Sequence, residues 1–117
     1  MGAMMTFYEV INDGTAGFYV ATRTTSQAKG KNRSEGCHLD DWQQNFFVPK
    51  AKGCFKKATW ICLDDFYEFK TEELLQGRFS GRINPVGGLP SIILQALIDC
   101  ALHSDDISGL QAEAIQG

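Results

Sequence analysis

Between Phe18 and Gly30 the chain reads FYVATRTTSQAKG, an apolar strand running directly into Arg23, Thr24, Thr25, Ser26, Gln27 and Lys29, with Ala28 the one apolar interruption. Hydroxyls, an amide and cations at successive positions are the donors that phosphate oxygens accept from, so this junction has the chemistry of a phosphate-holding site. If the strand continues through it, its period of two puts Arg23 and Thr25 on one face and Thr24 on the other. The same sign of charge continues downstream. Residues 23–57 carry eight basic side chains, Arg23, Lys29, Lys31, Arg33, Lys50, Lys52, Lys56 and Lys57, against three acids, whereas residues 58–117 carry three against nine. If the basic part folds onto one face it can attract a polyanion, while the acidic remainder and the net charge of −3 limit indiscriminate binding.

Short strands must position these groups. Phe7–Ile11 and Gly17–Thr22 are β-type runs around Asn12-Asp13-Gly14, a hairpin signal, with Arg23–Thr25 opening the loop that follows. Residues 25–35 have no periodic apolar pattern and read as a long, exposed, mobile loop. Cys37–Leu39 and Asn45–Val48 add short strands, the second stopped by Pro49, and Ala51–Lys57 is a basic turn around Gly53. Thr59–Leu63 (TWICL) is a near-continuous apolar run expected of a central buried strand. Phe66–Phe69 resumes β character. Thr71 is then expected to cap a short helix ending at Gly77, with Glu72 and Glu73 in its first turn. RFSGRI, Arg78–Ile83, alternates like an edge strand, and Asn84–Pro90 is a linker. Ser91 caps a helix whose apolar positions Ile92, Ile93, Ala96, Leu97, Cys100 and Ala101 follow helical periodicity. Ser104–Leu110 is a weaker turn of helix before a frayed end. The expected fold is a single α+β, mainly β domain: a small SH3-like barrel of short antiparallel strands with a carboxyl-terminal helix.

A hydrophobic content of 44% with 21% charged residues is that of a folded soluble chain, and no apolar run is long enough to span a membrane. Met1–Met5 reads as an unstructured or expression-derived start without secretory character, so the expected location is the cytoplasm. There Cys37, Cys54, Cys62 and Cys100 should stay reduced and serve as small core residues. A zinc site from Cys37, His38, Cys54 and Cys62 does not match paired-knuckle spacing, and Cys100 with His103 lacks a second pair, so no metal and no other cofactor is expected.

The order of these features resembles the PemK/MazF family of toxin endoribonucleases from toxin–antitoxin systems. Two stretches carry the likeness. GFYVATRTTSQAKG resembles the family's strand ending in a Thr-Thr-Gln-Ser-Lys-Gly type loop, and GCFKKATWICLDDFYEFKTEELLQGRFSGRI resembles its Gly-Leu-Lys-x-(Ser/Thr) strand, Asp-containing turn, Leu and Gly-Arg strand. With the carboxyl-terminal helix they cover roughly residues 17–103. The resemblance implies a metal-independent endoribonuclease in which the ribose 2′-hydroxyl of single-stranded RNA attacks its own phosphate. That chemistry needs a proton acceptor, a proton donor and donors around the phosphate. By position, Thr24 or Thr25 matches the family's active-site threonine, and Lys29 with its loop matches the RNA-facing loop. Asp65 matches the family's acid in the strand turn, where pinning local backbone is expected ahead of catalysis. The family's first strand and catalytic Arg before a Pro have no counterpart here, and Arg23 is the candidate substitute.

The expected catalytic set is therefore Arg23, Thr24 and Thr25, with His38 a further acid–base candidate. Ser26, Gln27, Lys29, Lys31, Arg33, Lys50, Lys52, Lys56 and Lys57 are the RNA-binding candidates. Trp42, Phe46, Phe47 and Phe55 are available to stack bases or to seat an antitoxin peptide. Loss of the first strand exposes a sheet edge, which favours a homodimer. The competing readings are a non-catalytic protein- or RNA-binding module on the same barrel, and a small-ligand binder using the same loop.

Overall fold

The amino end does fold back on itself at Asn12-Asp13-Gly14, but not as a two-residue hairpin. The computed structural model describes residues 8–50, 52, 55–81 and 88–116. Within them β1 (Tyr8–Val10) pairs antiparallel with β2 (Phe18–Thr25), Tyr8 opposite Arg23 and Val10 opposite Ala21. Asn12 substitutes its side-chain amide for a strand partner, with Nδ2 donating to Phe18 O at 3.0 Å and Oδ1 accepting from Val20 N at 2.9 Å. Asp13 Oδ1 accepts from the backbone N–H of Thr15 at 3.0 Å and its hydroxyl at 2.8 Å, and these bonds hold the Asp13 carboxyl below the usual range. Gly14 closes the turn at φ +77°, where a Cβ would stand 2.6–2.9 Å from the Tyr19 ring. Gly14→Ala is therefore expected to cost about 1–2 kcal/mol for the left-handed backbone alone. A lowered urea midpoint at unchanged slope checks this, and a midpoint equal to the parent's would contradict it.

β2 is longer than the alternation suggested and carries Arg23, Thr24 and Thr25 within the strand rather than in the loop. Its amino-terminal half pairs with β6 (Tyr67–Lys70) and its last two residues with β5 (Thr59–Cys62). Beyond β5 lie β4 (Asn45–Val48) and then β3 (Gly36–His38), all antiparallel, in the order β1-β2-β5-β4-β3 with β6 also on β2. The α+β, mainly antiparallel architecture is as expected. Among the described residues no pairing joins β3 back to β1 or β6, so barrel closure is not seen. Thr59–Cys62 is buried at every position, as a continuous apolar run between two neighbours requires.

One face of this sheet holds the core. Ile11, Val20, Phe46, Val48, Ile61, Leu63 and Phe66 meet Leu97, Cys100, Ala101, Ala114 and Ile115 from two helices. These are α2 (Ser91–Leu102) and α3 (Gly109–Gln116), while α1 (Thr71–Phe79) follows β6 directly.

The helices correct several expectations. Thr71 is not a cap: Lys70 holds the N-cap position, and the Thr71 hydroxyl donates to Gly14 O at 3.0 Å, tying α1 to the first turn. Gly77 does not end α1. It is buried within it, and Arg78 and Phe79 are helical rather than part of an edge strand; Ser80 is the C-cap and Gly81 turns the chain at φ +79°. Positions 82–83 of that expected strand, residues 84–87 of the linker and Met1–Met5 lie outside the described residues. Ser91 is the first residue of α2 behind an N-cap Pro90, and Ile92 at 84% exposure points away from the core.

The carboxyl end is a packed helix, not a frayed one. Ser108 Oγ accepts from Gln111 N at 3.1 Å while Gln111 Oε1 accepts from Ser108 N at 3.0 Å, a reciprocal capping box that starts α3. Ser104 does not start a helix. Its buried hydroxyl lies 2.6 Å from Leu63 O and 2.9 Å from Gln44 Oε1.

Candidate functional site

Strand alternation divides the expected catalytic trio as the sequence implied. Thr24 is paired with the core residue Ile61, Thr25 with Trp60, and Arg23 with Tyr8. Arg23 and Thr25 thus share the face turned away from the helices. Each makes a local contact. The exposed Arg23 guanidinium sits 5.3 Å from the centre of the Tyr67 ring. The half-buried Thr25 accepts from Gln27 N at 3.1 Å in a local turn.

The expected mobile loop is instead laid across the outer face of the sheet and tied there. Lys29 at φ +44° and Gly30 at φ +83° reverse the chain, and Lys31 N closes the turn on Ala28 O at 2.9 Å. Lys31, expected among the RNA-facing cations, is 5% exposed. Its ammonium donates to the carbonyls of Gln27 at 3.2 Å and Ala28 at 3.1 Å and lies 5.3 Å from the Trp42 ring centre. It serves the loop and not a ligand. Trp42 Nε1 donates to Lys29 O and Trp60 Nε1 to Asn32 O, both at 2.8 Å. Asp41 accepts from Asn32 N at 2.8 Å and from Asn45 Nδ2 at 2.9 Å. These bonds, with His38 and Lys31 nearby, hold its carboxyl below the ordinary range. Arg33 lies 5.9 Å over the Trp60 ring.

The remaining cations are gathered by topology. Thr25 opposite Trp60, Val48 opposite Thr59 and Gly36 opposite Phe47 place the ends of β2 and β4 beside the starts of β3 and β5. The loops of residues 26–35 and 49–58 therefore leave the same end of the sheet. There Arg33, Lys50, Lys52, Lys56 and Lys57 are all exposed, as are Ser26 and Gln27 at the start of the first loop. Lys29, also exposed, is carried away from them to Trp42. At the opposite end the turns of residues 39–44 and 63–66 hold Asp40, Asp41, Asp64 and Asp65. Gln43 Nε2 donates to Asp64 at 2.9 Å, and Gln44 Nε2 to Asp105 at 3.0 Å, bringing the turn between α2 and α3 to the same acidic end. The exposed cations of the two loops and these four aspartates thus lie at opposite ends of one sheet, with Asp40 and Asp41 drawn from the basic stretch of sequence and Glu35 left in the first basic loop.

Other expected participants are placed elsewhere. Phe46 and Phe47 are 4% and 6% exposed, Phe47 stacking at 4.6 Å on Trp60, and Phe55 packs against the core, so of the four expected stacking groups Trp42 alone is open at 68%. His38 Nε2–H donates to Ser34 O, which ties the ring to the first basic loop. Asp65 bonds to the Tyr67 hydroxyl; partial desolvation first and then this bond raise the Tyr67 phenol.

The expectation of reduced cysteines is overturned. Cys37 on β3 and Cys100 on α2 form a disulfide with Cα atoms 5.7 Å apart. A zinc site using Cys37 and a ligand pair using Cys100 are both removed, and among the described residues no three His, Cys, Asp or Glu side chains converge on a metal position. Cys62 is a buried free thiol pushed up by burial and then by Asp64. Cys54 lies outside the described residues.

The sequence reading missed a cluster that only register assembles. Tyr8 on β1 meets Tyr67 and Phe69 on β6 across β2, edge to face, with ring centres 5.7 and 5.6 Å apart. The Tyr-Glu-Phe alternation of β6 signals that its two rings share a face, but nothing local shows that Tyr8 joins them.

Among the described residues no helix is long and apolar enough to cross a membrane. No protein-family model matches this chain, and neither a curated protein nor a solved structure is significantly similar to it.

Proposed function

We propose that this protein is a non-catalytic module that binds single-stranded RNA. The observation that carries the reading is that two basic loops leave the same end of the sheet, with Arg33, Lys50, Lys52, Lys56 and Lys57 exposed against Glu35 alone, while Asp40, Asp41, Asp64 and Asp65 lie at the other end. Such an arrangement releases counterions from a phosphate backbone while the acidic end repels nonspecific contact. An SH3-like, PemK/MazF-like ancestry belongs to the same reading. It is supported by β2 pairing with β1 and β6 along its length and with β5 at its end, and by the polar Arg23–Lys29 stretch that closes that strand.

A nuclease of that family would need a base, an acid and phosphate donors around one point. Here Arg23 lies on Tyr67, Thr25 closes a turn, Thr24 alternates to the core side, Lys31 is buried and His38 is tied to Ser34. That dispersal favours binding over cleavage. β1 and β3 each pair on one side among the described residues, which favours a homodimer formed through an edge. The Cys37–Cys100 bridge suits an oxidising compartment and argues against the cytoplasmic placement expected from the sequence.

The test is incubation with varied single-stranded RNAs in EDTA, followed by binding measured across a salt series. Binding without cleavage is expected. Lys56→Ala and Lys57→Ala should each flatten the log–log salt slope by roughly 0.7. RNA cleavage that disappears in Arg23→Ala, Thr24→Ala or Thr25→Ala would overturn the reading in favour of a toxin nuclease.

A further inference from the structure

The outer face of β1, β2 and β6 carries more than the phosphate contact requires. Tyr8, Tyr67 and Phe69 project from it together, Tyr8 at 41% exposure with its ring edge to face with both of the others. Arg23 lies in the same face, exposed, its guanidinium 5.3 Å from the Tyr67 centre. Alternation sends the acids of these strands, Glu9 and Glu68, to the opposite side, and Asp65 is engaged by the Tyr67 hydroxyl. The face is therefore aromatic with a cation in it. Along β2, Arg23 is two residues from Thr25, about 7 Å from the end where the basic loops emerge.

We infer that this face is a base-stacking platform, on which unpaired bases lie against Tyr8, Tyr67 and Phe69 while Arg23 and the basic loops hold the adjoining phosphates. The inference rests on the RNA-binding reading above and deepens it by assigning the bases a place of their own. The occupant follows from complementarity of charge and of chemistry. A polyanion without bases satisfies the lysines but has nothing to set on three rings, and an apolar protein surface does not complement an exposed guanidinium. A single strand offers a phosphate line and flat π faces together, and a duplex keeps its bases stacked on one another.

The test compares a labelled short oligouridylate with an abasic oligonucleotide of equal length, on the full chain and on Tyr8→Leu and Phe69→Leu. Melting curves first establish that each variant is folded. The unmodified protein should bind the oligouridylate roughly tenfold or more tightly than the abasic strand. Each leucine variant should lose most of that advantage while keeping its affinity for the abasic strand and its salt slope. Equal binding of the two ligands by the unmodified protein overturns the platform and leaves the phosphate contact standing; this comparison needs no variant, so an unfolded variant does not protect the proposal. Leucine variants that bind oligouridylate as the parent does also overturn it. Failure to bind either ligand removes the RNA-binding reading itself, and the platform with it.

Discussion

Opening the Cys37–Cys100 bridge, by reductant or by the paired substitutions Cys37→Ser and Cys100→Ser, is expected to lower the melting temperature by roughly 15 °C. The magnitude follows from what the bridge joins. Cys37 belongs to β3, a three-residue edge strand, and Cys100 to α2, and the two are 63 residues apart in sequence. Closing a loop of that length removes chain entropy from the unfolded state worth about 4 kcal/mol in the loop-closure treatment. A chain of this size has a net stability on the order of 5–15 kcal/mol, so losing the bridge removes a large part of it. Cys100 is itself a core residue of α2, but Leu97 and Ala101 keep their places beside it, so the loss should appear chiefly in the unfolded state's extra freedom and not in helix content below the transition. Calorimetric melts with and without reductant check this. Alkylation without reductant should leave both cysteines unmodified in a peptide map. Finding both alkylated in the native protein, or an unchanged melt after complete reduction, would sink the prediction.

That bridge also marks the boundary of what the residues alone could tell. The strands were legible where burial wrote them into composition: TWIC could only be a strand buried on both faces, and Asn45–Val48 had Pro49 to stop it. The amino-terminal turn was legible from Asn12-Asp13-Gly14, although the role of the Asn12 amide as a stand-in strand partner was not. RFSGRI reads as a strand only if Gly77 stops the helix. With no positive φ at Gly77, α1 runs through it to a turn at Gly81. The capping pair Ser108 and Gln111 was present in the sequence, but the stronger acid cluster after Ser104 drew the helix start to the wrong serine. For the candidate site, Arg33 and the lysines of residues 49–58 share one end because neighbouring strand ends bring their loops together, while Asp40 and Asp41 from the same basic stretch turn up at the other. Which lysines are available did not carry over. Lys31 has the same composition-level signature as Lys57, and only the reversal at Lys29 and Gly30 delivers its ammonium to two carbonyls of its own loop. Tyr8, Tyr67 and Phe69, like Cys37 and Cys100, meet through register and packing between distant segments, which no local pattern encodes.

Raising the pH from about 4.5 to above 7 is expected to weaken the fold through Glu9 by at most about 3 kcal/mol. Glu9 sits between Tyr8 and Val10 on β1 but alternates to the inner side, where burial pushes its carboxyl from 4.5 up to about 7. Its register partner Thr22 is fully buried, with a hydroxyl that has no hydrogen-bond partner among the described residues. Because the folded pKa is raised, the folded protein binds a proton between these limits that the unfolded chain has released, so stability falls as pH rises and levels off above about 7. Asp13 and Asp41 act with the opposite sign: their lowered carboxyls contribute stability that is lost as pH falls through their folded values, below 3.8. The two windows therefore do not overlap. Glu9→Gln should be more stable than the parent at pH 8 and close to it near pH 4, and urea titrations across the series read that difference directly. Parallel stability profiles for parent and variant would show that water reaches Glu9 and that its side of the strand is not dry. Since Glu9 faces away from Tyr8 and Arg23, this titration acts on the fraction folded, and the salt slope of RNA binding should be the same for Glu9→Gln and the parent at every pH where both are folded.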